Sequence, residues 1–174
     1  VTIPATPHTA TPAVDSRIID IILDSQSLTT RASSDAEIER HKAISDLLAQ
    51  NTFRLTDAAA PGPYKVMLLI DDGRLVIRTA CTRSGHKTDI RLPLSALKRH
   101  IADYAILCDN FYKTAREGQI HRLEAIDAGR RSIHDEAAEI LAESIENTVI
   151  VDKMTARRLF TLVYVLHIRN HSTF

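Results

Sequence analysis

Tryptophan is absent from this 174-residue chain, and aromatic residues make up only 5% of it. Platforms for stacking single-stranded nucleic acid are therefore scarce, with Tyr104, Phe111, Tyr112 and Tyr164 as candidates. No charge surplus exists either. Lys and Arg number 22 and so do Asp and Glu, which sets the pI near 7.2. Dedicated nucleic-acid domains usually lie above about pI 9, and an acidic solvating tail would show as excess carboxylate. Two cysteines, Cys81 and Cys108, cannot form a disulfide framework, and their spacing is not a zinc pattern. They are expected to be reduced. Long apolar runs are missing as well. The longest nearly apolar run, Leu159 to Ile168, contains His167 and falls far short of the ~20 residues that span a bilayer. A Walker A loop, a Rossmann fingerprint and a G-x-S-x-G elbow are all absent. No histidine pair stands at i, i+4 with an acid between, and His167 and His171, four apart, include one residue in the frayed helix end, where only fortuitous chelation is expected. No cofactor and no metal is expected.

What remains is ordinary globular composition, 44% hydrophobic and 25% charged. Residues 1–15 are rich in Pro and Thr, with neither a basic start nor an apolar core of a secretory signal. They read as a flexible tail on a single domain at 16–174, placed in the cytoplasm. Arg17 to Leu23 is β-branched and reads as a strand. Ser34, with Glu37 three residues on, reads as a capping box opening a helix. Ile38, Ile44 and Leu48 give that helix a core side, which His41 shares. Tyr64–Ile70, Arg74–Thr82 and Asp89–Leu94 alternate with turn signals at Gly73 and Gly85, so they form an antiparallel meander. Ser95 is expected to cap a helix to Glu117, with Leu97, Ile101, Tyr104, Cys108, Phe111 and Ala115 as its apolar stripe. A second helix runs from Gln119 to Glu146. Val149–Val151 is a short strand, and Asp152 or Thr155 caps a last helix to Asn170. That last helix is apolar on all sides and must be buried on all sides. Strands early and helices late predict an α+β domain, with a meander of three to four strands packed against four helices.

One cluster of polar residues needs a reason. At 100° per residue, Leu123, Ile126, Ile133, Ala137, Ile140 and Leu141 share a stripe, and Arg130 falls inside it. Asp127 and His134 lie one turn either way. Arginine does not neutralise on burial, so it must be paired. Asp127 supplies one carboxylate, and Thr161, Tyr164 or His167 of the last helix are further candidate partners. Gly129 in mid-helix suggests that another backbone packs closely there. Arg131 is expected to pair with Asp135, and Glu136 to face solvent. Arg157 and Arg158 open the last helix, where cations oppose the helix dipole unless an anion is near.

Several segments carry a resemblance to a known family. They are R-I-I-D-I from Arg17, E-R-x-x-A-I-x-D-L-L from Glu39 and G-P-Y from Gly62. A-I-D-A-G-R-R-S-I-H-D-E from Ala125 and V-D-K-M-T-A-R-R-L-F-T-L from Val151 complete the set. The chain resembles the uncharacterised bacterial protein family 0262 over roughly residues 16 to 169. The resemblance implies one intact bacterial cytoplasmic domain and transfers no activity, cofactor or catalytic residue.

Three readings of function stand open. The chain is a non-catalytic binding or regulatory module acting through a protein partner or a second copy. Alternatively it is an enzyme or small-anion binder built on Asp127, Arg130 and His134, in which Arg130 holds the anion and His134 handles a proton. Or it is an RNA- or ribosome-associated factor using Arg130, Arg131, Arg157 and Arg158. A pocket of about 300 Å³ or more that reaches Arg130 favours the second reading, a closed core there favours the first, and a shared positive face carrying Arg131, Arg157 and Arg158 favours the third.

Overall fold

A computed structural model describes residues 15–24 and 33–171. The expected tail, Asp15 excepted, and most of the polar connection before the first helix lie outside these residues. The architecture is α+β. Strand β1 (Ile18–Leu23) is followed by helix α1 (Ser34–Ala49) and a short strand β2 (Phe53–Leu55). Then come β3 (Tyr64–Asp71), β4 (Arg74–Cys81) and β5 (Lys87–Pro93). Helices α2 (Lys98–Arg116) and α3 (Ile120–Ile145), strand β6 (Val149–Val151) and helix α4 (Lys153–His171) complete the described chain.

The predicted meander forms, because β3, β4 and β5 pair antiparallel in sequence order. Asp72 and Gly73 turn β3 into β4 with φ of 46° and 69°, the left-handed pair that a two-residue hairpin turn requires. β1 joins the sheet parallel to β3, giving the order β1-β3-β4-β5. A parallel neighbour needs a long crossover, and α1 with β2 supplies it. Buried residues line up across the register. Ile21 sits beside Val66, and Val66 faces Thr79. Leu68 faces Ile77, which faces Ile90. β2 and β6 form a separate antiparallel pair.

α4 is the core helix, as its all-round hydrophobicity predicts. Leu159, Phe160, Leu162, Val163, Val165 and Leu166 are all buried. It packs against α1, α3 and β3. Asn51, just past α1, ties this layer to the sheet: its Oδ1 accepts from the Ile18 N–H at 2.7 Å and its Nδ2 donates to the Ile18 carbonyl at 2.9 Å. Asp152 caps α4, its Oδ1 accepting from the Thr155 N–H at 2.6 Å.

Four expectations need correction. The cap of α1 is Ser33, whose Oγ accepts from the Ala36 N–H at 3.2 Å. Glu37 then stands one residue too far along for a capping box and binds Arg40 instead, at 2.9 Å. The core side of α1 is Ala36, Ala43 and Leu47, while Ile38 and Leu48 are exposed. Alanines allow a close approach to α4, and that contact outweighs the larger aliphatic side chains. His41 accordingly faces solvent beside Glu37. Ser95 caps nothing: Pro93 leads into a 3-10 turn at Leu94–Ala96, and α2 begins after Leu97 with no side-chain cap. At Gly129, an added Cβ would meet only Leu107 side-chain carbons, at 3.8 Å and beyond. Among the described residues no backbone presses on it.

Candidate anion-binding cleft

α1, α3 and α4 leave a recess between them of about 240 Å³. α1 contributes Glu39, Lys42, Ala43 and Asp46, one face at helical spacing. Arg130, Arg131 and His134 come from α3. Arg157, Arg158 and Thr161 come from α4, and Tyr104 of α2 also lines the recess.

Arg130 is drawn into the structure and paired on two sides. Its side chain is 19% exposed. Nε and Nη2 donate to Asp127 Oδ1 at 3.3 and 3.0 Å, and Nη1 donates to Glu39 Oε1 at 2.9 Å. The guanidinium carbon lies 4.4 Å from the Phe111 ring centre, a cation–π contact that also shields the pair. Glu39 is fixed in turn by Tyr112, whose hydroxyl donates to the same Oε1 at 2.6 Å. Burial, with Glu39 beside it, pushes the Tyr112 phenol above its ordinary range. The phenol is therefore a donor at neutral pH.

His134 is held differently. Its Nε2 lies 2.8 Å from the Arg157 carbonyl and 3.0 Å from Thr161 Oγ1. A carbonyl only accepts, so Nε2 carries the proton. The Thr161 hydroxyl donates to the same carbonyl at 3.3 Å. The imidazole ring packs against Tyr104 and Phe160, with centres 5.2 and 5.6 Å apart. Burial pushes its pKa down to about 4. His134 is neutral at physiological pH, with Nδ1 as a lone-pair acceptor.

The remaining cations are unevenly matched. Arg157 pairs with Asp135, which also meets Lys153 at 3.2 Å. Arg158 donates to the Gln50 carbonyl at 2.7 Å and makes no salt bridge among the described residues, although the Asp152 carboxylate feels its charge. Among the described residues Arg131 reaches only Asp127, at 3.5 Å, so the expected Arg131–Asp135 pair is replaced: α4 has taken Asp135. Lys42 makes no ion pair among the described residues.

The family model described as Uncharacterised protein family (UPF0262) matches residues 15–169. The chain belongs to this family. A UPF0262 protein of Caulobacter vibrioides is 42% identical over 153 residues, covering 88% of this chain and 94% of its own. One of Novosphingobium aromaticivorans is 40% identical over 163 residues, covering 89% and 98%. One of Sphingopyxis alaskensis is 38% identical over 156 residues, covering 88% and 94%. No solved structure matches.

In this UPF0262 chain, the Asp127, Arg130 and His134 singled out from sequence do sit together, along with Arg131, Arg157 and Arg158. Glu39 was missed. It lies 91 residues from Arg130, and its signal was a carboxylate four residues before Ala43 on the alanine face of α1. Thr161 was foreseen as a partner of Arg130 and binds His134 instead. Cys81 and Cys108 are buried and free. Burial pushes the Cys108 thiol up to about 11, so it is no thiolate nucleophile. Among the described residues no His, Cys, Asp and Glu group is arranged to hold a metal, and no helix is long and apolar enough to cross a membrane.

Proposed function

We propose that this UPF0262 protein is a binding module for a compact anion, held in the recess between α1, α3 and α4. One observation carries the reading. Five cations line a single recess with two carboxylates; among the described residues Arg130 and Arg157 are paired closely with carboxylates, Arg131 holds Asp127 at 3.5 Å, and Lys42 and Arg158 make no salt bridge. Lys42 and Arg158 are thereby the cations of the recess best able to take an added anion. Arg130 spends three of its five N–H groups on Asp127 and Glu39 and also meets the Cys108 thiol, which leaves at most two for a ligand. Its fork is already fixed, so little rotamer entropy is lost when an anion arrives.

Size and charge narrow the ligand. Sites for drug-sized molecules usually measure about 300–1,000 Å³, so a small phosphate or carboxylate compound fits better than a nucleotide. A nucleic-acid strand would meet Glu39 and Asp46 on the α1 wall, and like charges there oppose a phosphate backbone. The role is binding rather than acid–base catalysis. His134 has its Nε2 proton committed and its pKa about 4, far from the neutral range that suits a general base. A cytoplasmic setting goes with this reading, since both thiols are free.

Thermal melts with inorganic phosphate, pyrophosphate and citrate test it. An anion at 100 times its Kd should stabilise the fold by about 2.7 kcal/mol, and the shift should shrink with added salt. Lys42→Ala should leave the unliganded melt within about 0.5 kcal/mol and weaken the anion shift. Melts that none of the three anions moves would sink the proposal.

A further inference from the structure

The two polar centres of the cleft ask for different things from a ligand. Arg130, Arg131, Arg158 and Lys42 all donate, so they call for an acceptor that carries negative charge. His134 differs from them and also from the two charged acceptors of the recess, Glu39 and Asp46, because it offers a neutral acceptor. Its Nε2 proton goes to the Arg157 carbonyl and the Thr161 hydroxyl. The opposite tautomer would set a nitrogen lone pair against a carbonyl lone pair at 2.8 Å. Nδ1 is thereby fixed as an acceptor. Among the described residues it has no hydrogen-bond partner, and it is not sealed away as the Nδ1 of His100 is. The His134 side chain lines the same recess as the cations.

A fully ionised anion has only acceptors, so it would leave Nδ1 unanswered or repel it. A cationic donor such as an ammonium group would be opposed by the arginines. What satisfies both centres is a neutral donor near an anionic group, and a hydroxyl is the smallest such donor. Resting on the anion-binding reading above, we infer that the ligand is a hydroxylated anion, of the hydroxyalkyl phosphate or hydroxy-acid class, whose hydroxyl donates to His134 Nδ1. His134 is then the specificity-determining residue of the cleft, while the arginines supply affinity for the anionic group. Sites that hydrogen-bond a substrate hydroxyl discriminate strongly against analogues lacking it, because the buried partner is left unpaired. At a recess open to solvent the ratio should be smaller than at a sealed one.

The test compares two phosphates that differ in their hydroxyls. Calorimetric titration with glycerol 3-phosphate and with propyl phosphate should show the first binding about tenfold tighter, which is 1.4 kcal/mol. In His134→Phe the two should bind alike, each about as tightly as propyl phosphate binds the unaltered chain. Nitrogen NMR of the unaltered protein should find the Nε2–H tautomer, and the Nδ1 signal should move on adding glycerol 3-phosphate and stay put with propyl phosphate. These measurements need no variant, so they decide the matter even if His134→Phe does not fold. Equal binding of both phosphates by the unaltered chain overturns the inference and leaves the anion-binding reading in place. So does an Nδ1–H tautomer. Binding of neither phosphate overturns the anion-binding reading and this inference together.

Discussion

α4 has two sides that are stabilised by opposite means. Along one, Leu159, Val163 and Leu166 are sealed into the core. Along the other, Arg157, Arg158 and Thr161 face the cleft. At 100° per residue these sets lie roughly opposite each other on the helix. The first side gains by removing apolar surface from water and is indifferent to protons and salt. The second keeps charge half-buried and must pair each group. A single helix can therefore be the most buried element of the fold and also one wall of its most polar recess. The contrast separates what holds the molecule together from what lets it select a ligand.

The largest effect should come from the apolar side. Leu159 is fully buried, and Leu→Ala at such sites costs about 2–5 kcal/mol. Leu159→Ala should lower the melting temperature by roughly 10 °C, and chemical denaturation should give the same loss at low and high salt. A loss that varies with salt would mean that the two sides of α4 are coupled, and the contrast would fail.

The polar side should answer to pH instead. Folding lowers the His134 pKa from its ordinary 6.5 to about 4. Between those values the unfolded chain binds the proton and the folded chain does not. Stability therefore rises with pH through this window. The contribution is complete above about pH 6.5 and is lost as pH falls toward 4. At most it amounts to about 3 kcal/mol, from 1.36 kcal/mol per unit. Asp89, held below its ordinary 3.8 by the hydrogen bond from Arg78, loses its own contribution only in more acid solution. Urea midpoints at pH 7, 5.5 and 4.5 should fall steadily in the unaltered chain and less in His134→Gln. Parallel declines in both would remove His134 as the cause.

The same division explains what could be read from the residues alone. Apolar periodicity specified α4 and the meander, since burying a stripe or alternating face is a local property of the chain. The cluster on α3 was legible because Asp127, Arg130 and His134 are neighbours one turn apart. Glu39 was not legible as their partner, because its pairing with Arg130 exists only after α1 has packed. The phase of α1 was itself misleading. Ile38 and Leu48 suggest one face, yet Ala36, Ala43 and Leu47 form the buried one. Small residues that permit close packing leave a weaker mark on a hydrophobicity pattern than the large residues that stay outside. The parallel register of β1 was hidden for a related reason, since its pairing with β3 depends on the crossover through α1.

Gly129 offers the finest test of this division, because it sits in α3 next to Arg130 while belonging to neither class of contact. A glycine in mid-helix costs about 1 kcal/mol relative to alanine. If the site needed that glycine, something should occupy the space of its missing Cβ. Among the described residues only Leu107 carbons come near, at 3.8 and 3.9 Å, which is ordinary van der Waals contact. Its backbone is helical, so no left-handed conformation requires it either. Gly129→Ala should then stabilise the protein by up to about 1 kcal/mol, raising the melting temperature by roughly 2–4 °C. The pH dependence set by His134 should not change. A drop in melting temperature would mean that α3 must bend or move at Gly129, and that the cleft beside it is looser than its paired arginine implies.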